Sequence, residues 1–230
     1  MHNIEYDSTG WDTYNWGRGI SFWNKNIDFN SKTVLELGCG CKNGGLSLWV
    51  ASKGASDVVC SDYNEPTEQT KSMHKLYNFD TKITYKKISA LEIPYENHFD
   101  IVIFKSMLGG ISRNNIEEVN LCLKQCKKAL KPGGKLLVAE NLVSTCVHKF
   151  TRKTFLKRTW RYFNANELSA FLEYNNFKVT NREYLGITAC FGRSERQRIF
   201  LGKLDKILFE RILPEEKRYI IFLIAEKNKH

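Results

Sequence analysis

One stretch constrains this 230-residue chain more than any other: TVLELGCGCKNGGLSLWVASKGASDVVCSDYN, residues 33–64. Val34-Leu35-Glu36-Leu37 is a short apolar run, the length of a buried strand. Gly38, Gly40, Gly44 and Gly45 follow at once. A helical pattern runs through Leu46, Leu48, Trp49 and Val50, and Gly54 closes it. Val58-Val59-Cys60 is a second strand, ending on Asp62. Strand, glycine turn, helix, strand and acid make one βαβ unit.

The unit has the logic of a nucleoside pocket. Glycines let the backbone turn sharply and come close to a ligand. An acid at the end of the second strand, roughly 20 residues on, can accept hydrogen bonds from both ribose hydroxyls. No G-x-x-x-x-G-K-[ST] loop is present, and the dinucleotide spacing G-x-G-x-x-G fails because Asn43 stands where the third glycine belongs and Gly44 comes one residue late. Glu36, just before the first glycine, would repel a pyrophosphate but suits a cationic amino acid group.

Glu36–Gly40 (ELGCG) followed by Asp62 resembles the first motif and second-strand acid of class I S-adenosylmethionine-dependent methyltransferases. Phe99-Asp100 with the apolar run to Phe104 is similar to that family's fourth strand, and Leu130–Gly134 (LKPGG) to its turn into strand 5. The resemblance covers residues 33–142 well and 165–226 more loosely. It implies an α/β, Rossmann-like fold with a seven-stranded, mostly parallel sheet, an antiparallel seventh strand lying between strands 5 and 6, and helices on both faces. It also implies S-adenosylmethionine as cofactor. By this resemblance Trp16, Glu36, Gly38, Cys39, Gly40, Asp62, Tyr63, Ser89, Ala90 and Lys105 are the expected cofactor-binding residues. Ser89 stands where the family often has an adenine-contacting acid, so backbone groups of Ala90 and Leu91 are expected to replace that contact. FKSMLGGIS after strand 4, AENL after strand 5 and the terminal YIIFLIAEK resemble bacterial small-molecule and sugar O-methyltransferases of surface-polysaccharide pathways.

Length and an apolar content of 42% fit one methyltransferase domain. Its parts are a cap segment (1–32), a cofactor-binding core (33–142), substrate-side insertions (143–217) and a last strand (218–226). The cap is rich in aromatics: Trp11, Tyr14, Trp16, Phe22 and Trp23 either cover the pocket or pack on the sheet. Seven cysteines show no C-x-x-C and no zinc spacing, so reduced thiols in a cytoplasmic protein are expected, and no metal. The longest apolar run, Tyr219–Ala225, is far short of a membrane span, and no membrane partner is expected. The oligomeric state is left open.

The net charge of +10 points to an anionic partner. From Asn141 to Asn166 there is no acid, while His148, Lys149, Arg152, Lys153, Lys157, Arg158 and Arg161 are interleaved with Phe150, Phe155, Trp160, Tyr162 and Phe163. Such a segment is either a solvated basic face or a holder of phosphate or diphosphate. A long insertion, Gly186–Lys217, adds Arg193, Arg196 and Arg198 before the last strand. Tyr14, Arg18, Arg161 and Arg193 are the expected acceptor-binding residues.

Transfer to a hydroxyl needs a base. His148, just beyond strand 5, is the first candidate, because imidazole titrates near neutrality; Glu140 is the second. The leading expectation is an O-methyltransferase acting on a small anionic acceptor, a nucleotide-activated sugar or a phosphorylated glycan precursor. An RNA methyltransferase is the alternative; nucleic acid is not favoured, since Lys105-Ser106-Met107-Leu108 stands where a base-amino methylase carries N/D-P-P-Y. A third reading is a cofactor-binding scaffold without turnover.

Overall fold

In the computed structural model, residues 4–40, 44–113, 115–143, 145, 148 and 160–227 are described. The basic residues Lys149, Arg152, Lys153, Lys157 and Arg158 lie outside them.

Seven strands form one sheet in the order β3-β2-β1-β4-β5-β7-β6. They are β1 (Thr33–Leu37), β2 (Asp57–Asp62), β3 (Ile83–Lys87), β4 (Phe99–Lys105), β5 (Leu130–Asn141), β6 (Phe177–Leu185) and β7 (Ile220–Lys227). β1 pairs in parallel with both β2 and β4, and β4 with β5. β7 runs antiparallel between β5 and β6, as expected from the sequence. The chain winds one way from β1 to β3 and the other way from β4 onward. The strand order therefore reverses between β1 and β4, where open α/β sheets place their ligand crevice. LKPGG is a bulge within β5 rather than a turn before it: Phe99 pairs with Leu130, Ile101 already with Lys135, and Gly133 has φ 73°.

Alternate residues of each strand face opposite ways, which divides the core in two. Leu35, Leu37, Val102, Phe104, Leu136 and Val138 meet α6 (Glu117–Ala129) and α7 (Ala165–Tyr174) on one face. Val34, Ile101, Ile103, Leu137 and Ala139 meet α2 (Thr13–Asn26) and α3 (Gly45–Ser52) on the other. Asn164 caps α7, its side chain accepting from the Glu167 N–H at 2.9 Å. α3 is buried all round from Gly45 to Ala51 because α1 (Ile4–Thr9) lies over its outer side.

The cap aromatics do two jobs. Trp16 and Trp23 are wholly buried and meet Phe222 edge to face, at centroid distances of 5.4 and 4.6 Å. Burying each indole contributes about 2–3 kcal/mol. Trp11, five residues before Trp16, instead reaches the cavity described below.

The insertion before β7 is helical: a 3-10 turn (Ala189–Phe191), α8 (Glu195–Leu204), a π-helical turn (Asp205–Phe209) and a short helix (Glu210–Ile212). Ser194 and Gln197 close a capping box at its start. No helix among the described residues is long and apolar enough to cross a membrane.

Candidate active site

β1 delivers Glu36 and the glycine loop to the C-terminal edge of the sheet. Gly38 and Gly40 have φ of 67° and 73°, backbone that side chains resist. The Gly40 N–H donates to Asp62 Oδ2 at 2.8 Å, and the Cys39 N–H to the Ser61 carbonyl at 3.0 Å, so the ends of β1 and β2 are tied together. Among the described residues, a side chain on Gly40 would meet nothing within 4 Å, and its backbone lines the cavity described next. Gly45 is needed for another reason, since a Cβ on it would lie 2.6 Å from the Ser8 carbonyl oxygen of the cap.

A cavity of about 430 Å³ opens at this point, within the range of small-molecule sites. Gly38–Gly40 and Glu36 form its floor, Lys105 and Ser106 one wall, and Ser8–Trp11 its cover. Glu36 is buried, with Oε2 accepting from the Ser47 N–H at 2.8 Å and from the Ser47 hydroxyl. Burial raises its pKa, opposed by Ser47 and by the charge of Lys105. Lys105 donates from Nζ to the Thr9 carbonyl at 2.5 Å and sits 5.1 Å above the Trp16 ring. Burial lowers its pKa to about 8, with Glu36 pulling the other way. The cavity thus offers a carboxylate for an ammonium group, an open glycine backbone for close approach, and Asp62 beside the loop for ribose hydroxyls. That donor and acceptor set fits S-adenosylmethionine.

Other sequence candidates lie elsewhere. Trp16 is in the core, behind Lys105 and Trp11, which line the cavity and stand 5.1 and 6.2 Å from its ring. Tyr63 is 70% exposed. Ser89 and half-buried Ala90 form a tight turn past β3, the Ser89 hydroxyl accepting from the Leu91 N–H at 3.2 Å.

The two base candidates are turned inward. Glu140 is fully buried, with Oε1 accepting the Met107 and Leu108 N–H groups, both at 2.7 Å. Oε2 is buried with no hydrogen-bond partner among the described residues, and burial pushes the pKa up to about 7. Glu140 thereby holds the start of the short helix α5 (Leu108–Ile111). His148 is also buried, its Nε2 placed 3.0 Å from the Ile187 carbonyl and 3.3 Å from Cys190 Sγ.

Of the acceptor-side candidates, Arg18 makes a bidentate pair with Glu210 at 2.8 and 2.6 Å. Arg161 pairs with Glu167 at 2.6 Å. Tyr14 packs beside Gly202 of α8. Arg193 is exposed. Trp160 and Arg161 rest on α5, where Gly109 and Gly110 leave room for them, and this gives the glycine pair of FKSMLGGIS a packing role.

The sequence reading missed the residues that hold the cover down. Buried Asp12, with φ 45°, accepts from the Tyr219 hydroxyl and from Asn15. Burial raises its pKa to about 7. Glu195 accepts from the Asp12 and Thr13 N–H groups at 3.1 and 2.6 Å. These partners are 183 and 207 residues away in sequence, so no local pattern marks them. Ser47 was a nearer miss, a lone hydroxyl in the first turn of a helix that otherwise runs apolar to Ala51. Among the described residues, no group of three or more His, Cys, Asp or Glu side chains could hold a metal ion.

Comparison with known proteins agrees with this geometry. Residues 35–138 match the methyltransferase domain family. A ubiquinone/menaquinone biosynthesis C-methyltransferase, UbiE, of Shewanella frigidimarina is 32% identical over 128 residues. The match takes in 53% of this chain and 47% of the relative, so the chain spans about half the length of the curated relatives it matches. An S-adenosylmethionine-dependent methyltransferase from Mesorhizobium loti shares the fold with a TM-score of 0.62 at 15% identity, over 92% of this chain and 96% of that one. A phosphoethanolamine N-methyltransferase of Haemonchus contortus, solved with S-adenosylmethionine, gives 0.63 at 19% identity over 93% and 53%. Residues 35–138 are therefore similar to the methyltransferase domain family, and the chain shares the seven-stranded fold of these solved structures.

Proposed function

We propose that the protein transfers a methyl group from S-adenosylmethionine to a small acceptor presented at the mouth of the cavity between Trp11 and Ser106. The observation that carries this reading is the glycine floor bordered by Glu36 and Asp62 under the Ser8–Trp11 cover. The cofactor would supply an electrophilic methyl on a sulfonium. The chain's own task is to bind it, exclude water beneath the cover and align the acceptor. Asp62 would hold the ribose and Glu36 the amino acid end.

For the acceptor, the first reading is a hydroxyl of a small anionic compound, a nucleotide-activated sugar or a phosphorylated glycan precursor. The net charge of +10 and exposed Arg193 support it; the carboxylate partners of Arg18 and Arg161 weaken it. The second reading is transfer to carbon, and the names of the UbiE relatives favour it. A carbon made nucleophilic by a neighbouring ionised hydroxyl loses its proton after the bond forms, and so makes less demand on a protein base. The inward-turned Glu140 and His148 are compatible with that.

The test is incubation with methyl-labelled S-adenosylmethionine and three acceptor sets: nucleotide sugars, hydroxylated quinone precursors and RNA. Label on a sugar oxygen supports the first reading, and label on a ring carbon the second. S-adenosylhomocysteine binding without transfer to any set would overturn both and leave a scaffold role.

A further inference from the structure

Outside the cavity, the outward face of the 195–213 helical segment is unlike the rest of the surface. Phe200, Ile207 and Ile212 are 62, 55 and 77% exposed, and Leu208 and Leu213 are exposed beside them. Large apolar side chains left exposed together on one segment mark a surface that meets a partner. Arg196, Phe200, Lys203 and Ile207 recur at i, i+4, i+7 and i+11, opposite buried Gly202 and Asp205. Lys206 and Arg211 extend the same exposed face.

The placement of the acids decides what this face suits. Residues 193–213 contain three, Glu195, Asp205 and Glu210. Glu195 accepts from Thr13, buried Asp205 accepts the N–H groups of Ile187, Thr188 and Ala189, and Glu210 is held by Arg18. All three are spent inside the protein. What remains outside is apolar and cationic.

We propose that this face docks on an anionic lipid surface, with Phe200, Ile207 and Ile212 entering the headgroup boundary and Lys203, Lys206 and Arg211 meeting acidic headgroups. An amphipathic helix lying in the interface does so by this combination of apolar area and cations, without a membrane-spanning length. A second copy of the chain is a poor occupant: a two-fold interface would set the same cations against each other, and the nearest exposed acids, Glu215 and Glu216, lie beyond the segment beside Lys217 and Arg218. The segment is braced on the cap through Glu195–Thr13 and Arg18–Glu210, so docking would hold the cavity's cover beside the lipid surface.

The test is vesicle flotation with the full chain, using phosphatidylcholine alone and phosphatidylcholine with roughly one-third phosphatidylglycerol. The wild type is expected to float with the anionic vesicles only and to be released by salt. Ile207→Glu/Ile212→Glu should lower binding at least roughly tenfold, and Lys203→Gln/Lys206→Gln by roughly fivefold per cation removed. Both variants should keep the wild-type melting temperature and affinity for S-adenosylhomocysteine, since neither pair touches the cavity. Wild type that ignores anionic vesicles, or binding that survives both substitution pairs, would overturn the proposal. So would a dimer in light scattering that Ile207→Glu/Ile212→Glu dissolves, which would assign the face to self-association. Retention on an acidic polypeptide such as polyglutamate, with no vesicle binding, would assign it to a protein partner instead.

Discussion

The two ends of the sheet treat their charged residues in opposite ways. At the β1–β2 end, Glu36 and Asp62 sit beside a glycine backbone that borders a cavity, and Lys105, whose charge acts on Glu36, lines the same space. At the β5–β6 end, the arginines are numerous, but Arg18 and Arg161 meet Glu210 and Glu167, and Glu140 caps a helix. One end fixes its polar groups along or beside a cavity; the other uses them to fasten elements together away from it. A count of charges in sequence cannot separate these cases, because the partner that neutralises a side chain can lie anywhere in the chain. Arg18 and Glu210 are 192 residues apart.

The sharpest way to break this contrast is Arg18→Ala. It leaves Glu210, 8% exposed, without its cation, and should cost about 3–5 kcal/mol in a denaturant titration. Affinity for S-adenosylhomocysteine should stay within about twofold once the variant is folded. A raised acceptor Michaelis constant with unchanged stability would show that Arg18 serves the ligand after all. At the other end, Asp62→Ala should weaken S-adenosylhomocysteine binding by about 2–3 kcal/mol, a loss of thirtyfold or more by calorimetry. Near-normal affinity would remove the ribose assignment.

Glu140→Gln tests the fastening role by pH. The carboxyl's pKa is raised from 4.5 to about 7 by burial, so the folded state holds its proton more tightly than the unfolded chain. Its stabilising contribution is full below the unfolded value and is lost as pH rises from about 4.5 to 7. The glutamine keeps an acceptor for Met107 and Leu108 but carries no charge. It should therefore melt like the wild type near pH 4.5 and be more stable by about 2–3 kcal/mol above pH 7. Equal melting temperatures across that range would show that Glu140 ionises freely, as a working base must. The smallest effect is expected of Arg193→Ala: about 1 kcal/mol, seen as a several-fold rise in the Michaelis constant of an anionic acceptor. No change would withdraw the charge argument for that acceptor class.

Much of the fold was legible because it rests on local rules. The apolar runs of β1 and β4, the glycines after β1, the Asn164 cap and the antiparallel last strand all stand where periodicity, turn chemistry or family likeness put them. LKPGG was read as a turn because proline and glycine usually interrupt strands, and the structure absorbs them as a bulge. The pocket floor was legible for the same local reason: Glu36, the glycines and Asp62 fall within one βαβ unit. The cover was not, because Ser8–Trp11 is placed by Glu195, Tyr219 and Gly45, residues that only the folded chain brings together.

The sequence by itself determined the βαβ unit, the glycine floor and the two acids beside it, since each follows from side-chain alternation, backbone freedom at glycine and spacing within a short segment; the order of the seven strands followed from family likeness. The tertiary structure alone decided which charges are free. It paired Arg18 and Arg161 with carboxylates, buried Glu140 against α5, and turned the three acids of the 193–213 segment to internal partners, leaving cationic and apolar side chains exposed there. The physical reason is that a charge's role depends on burial and on what stands within hydrogen-bonding reach, and both are properties of the packed chain.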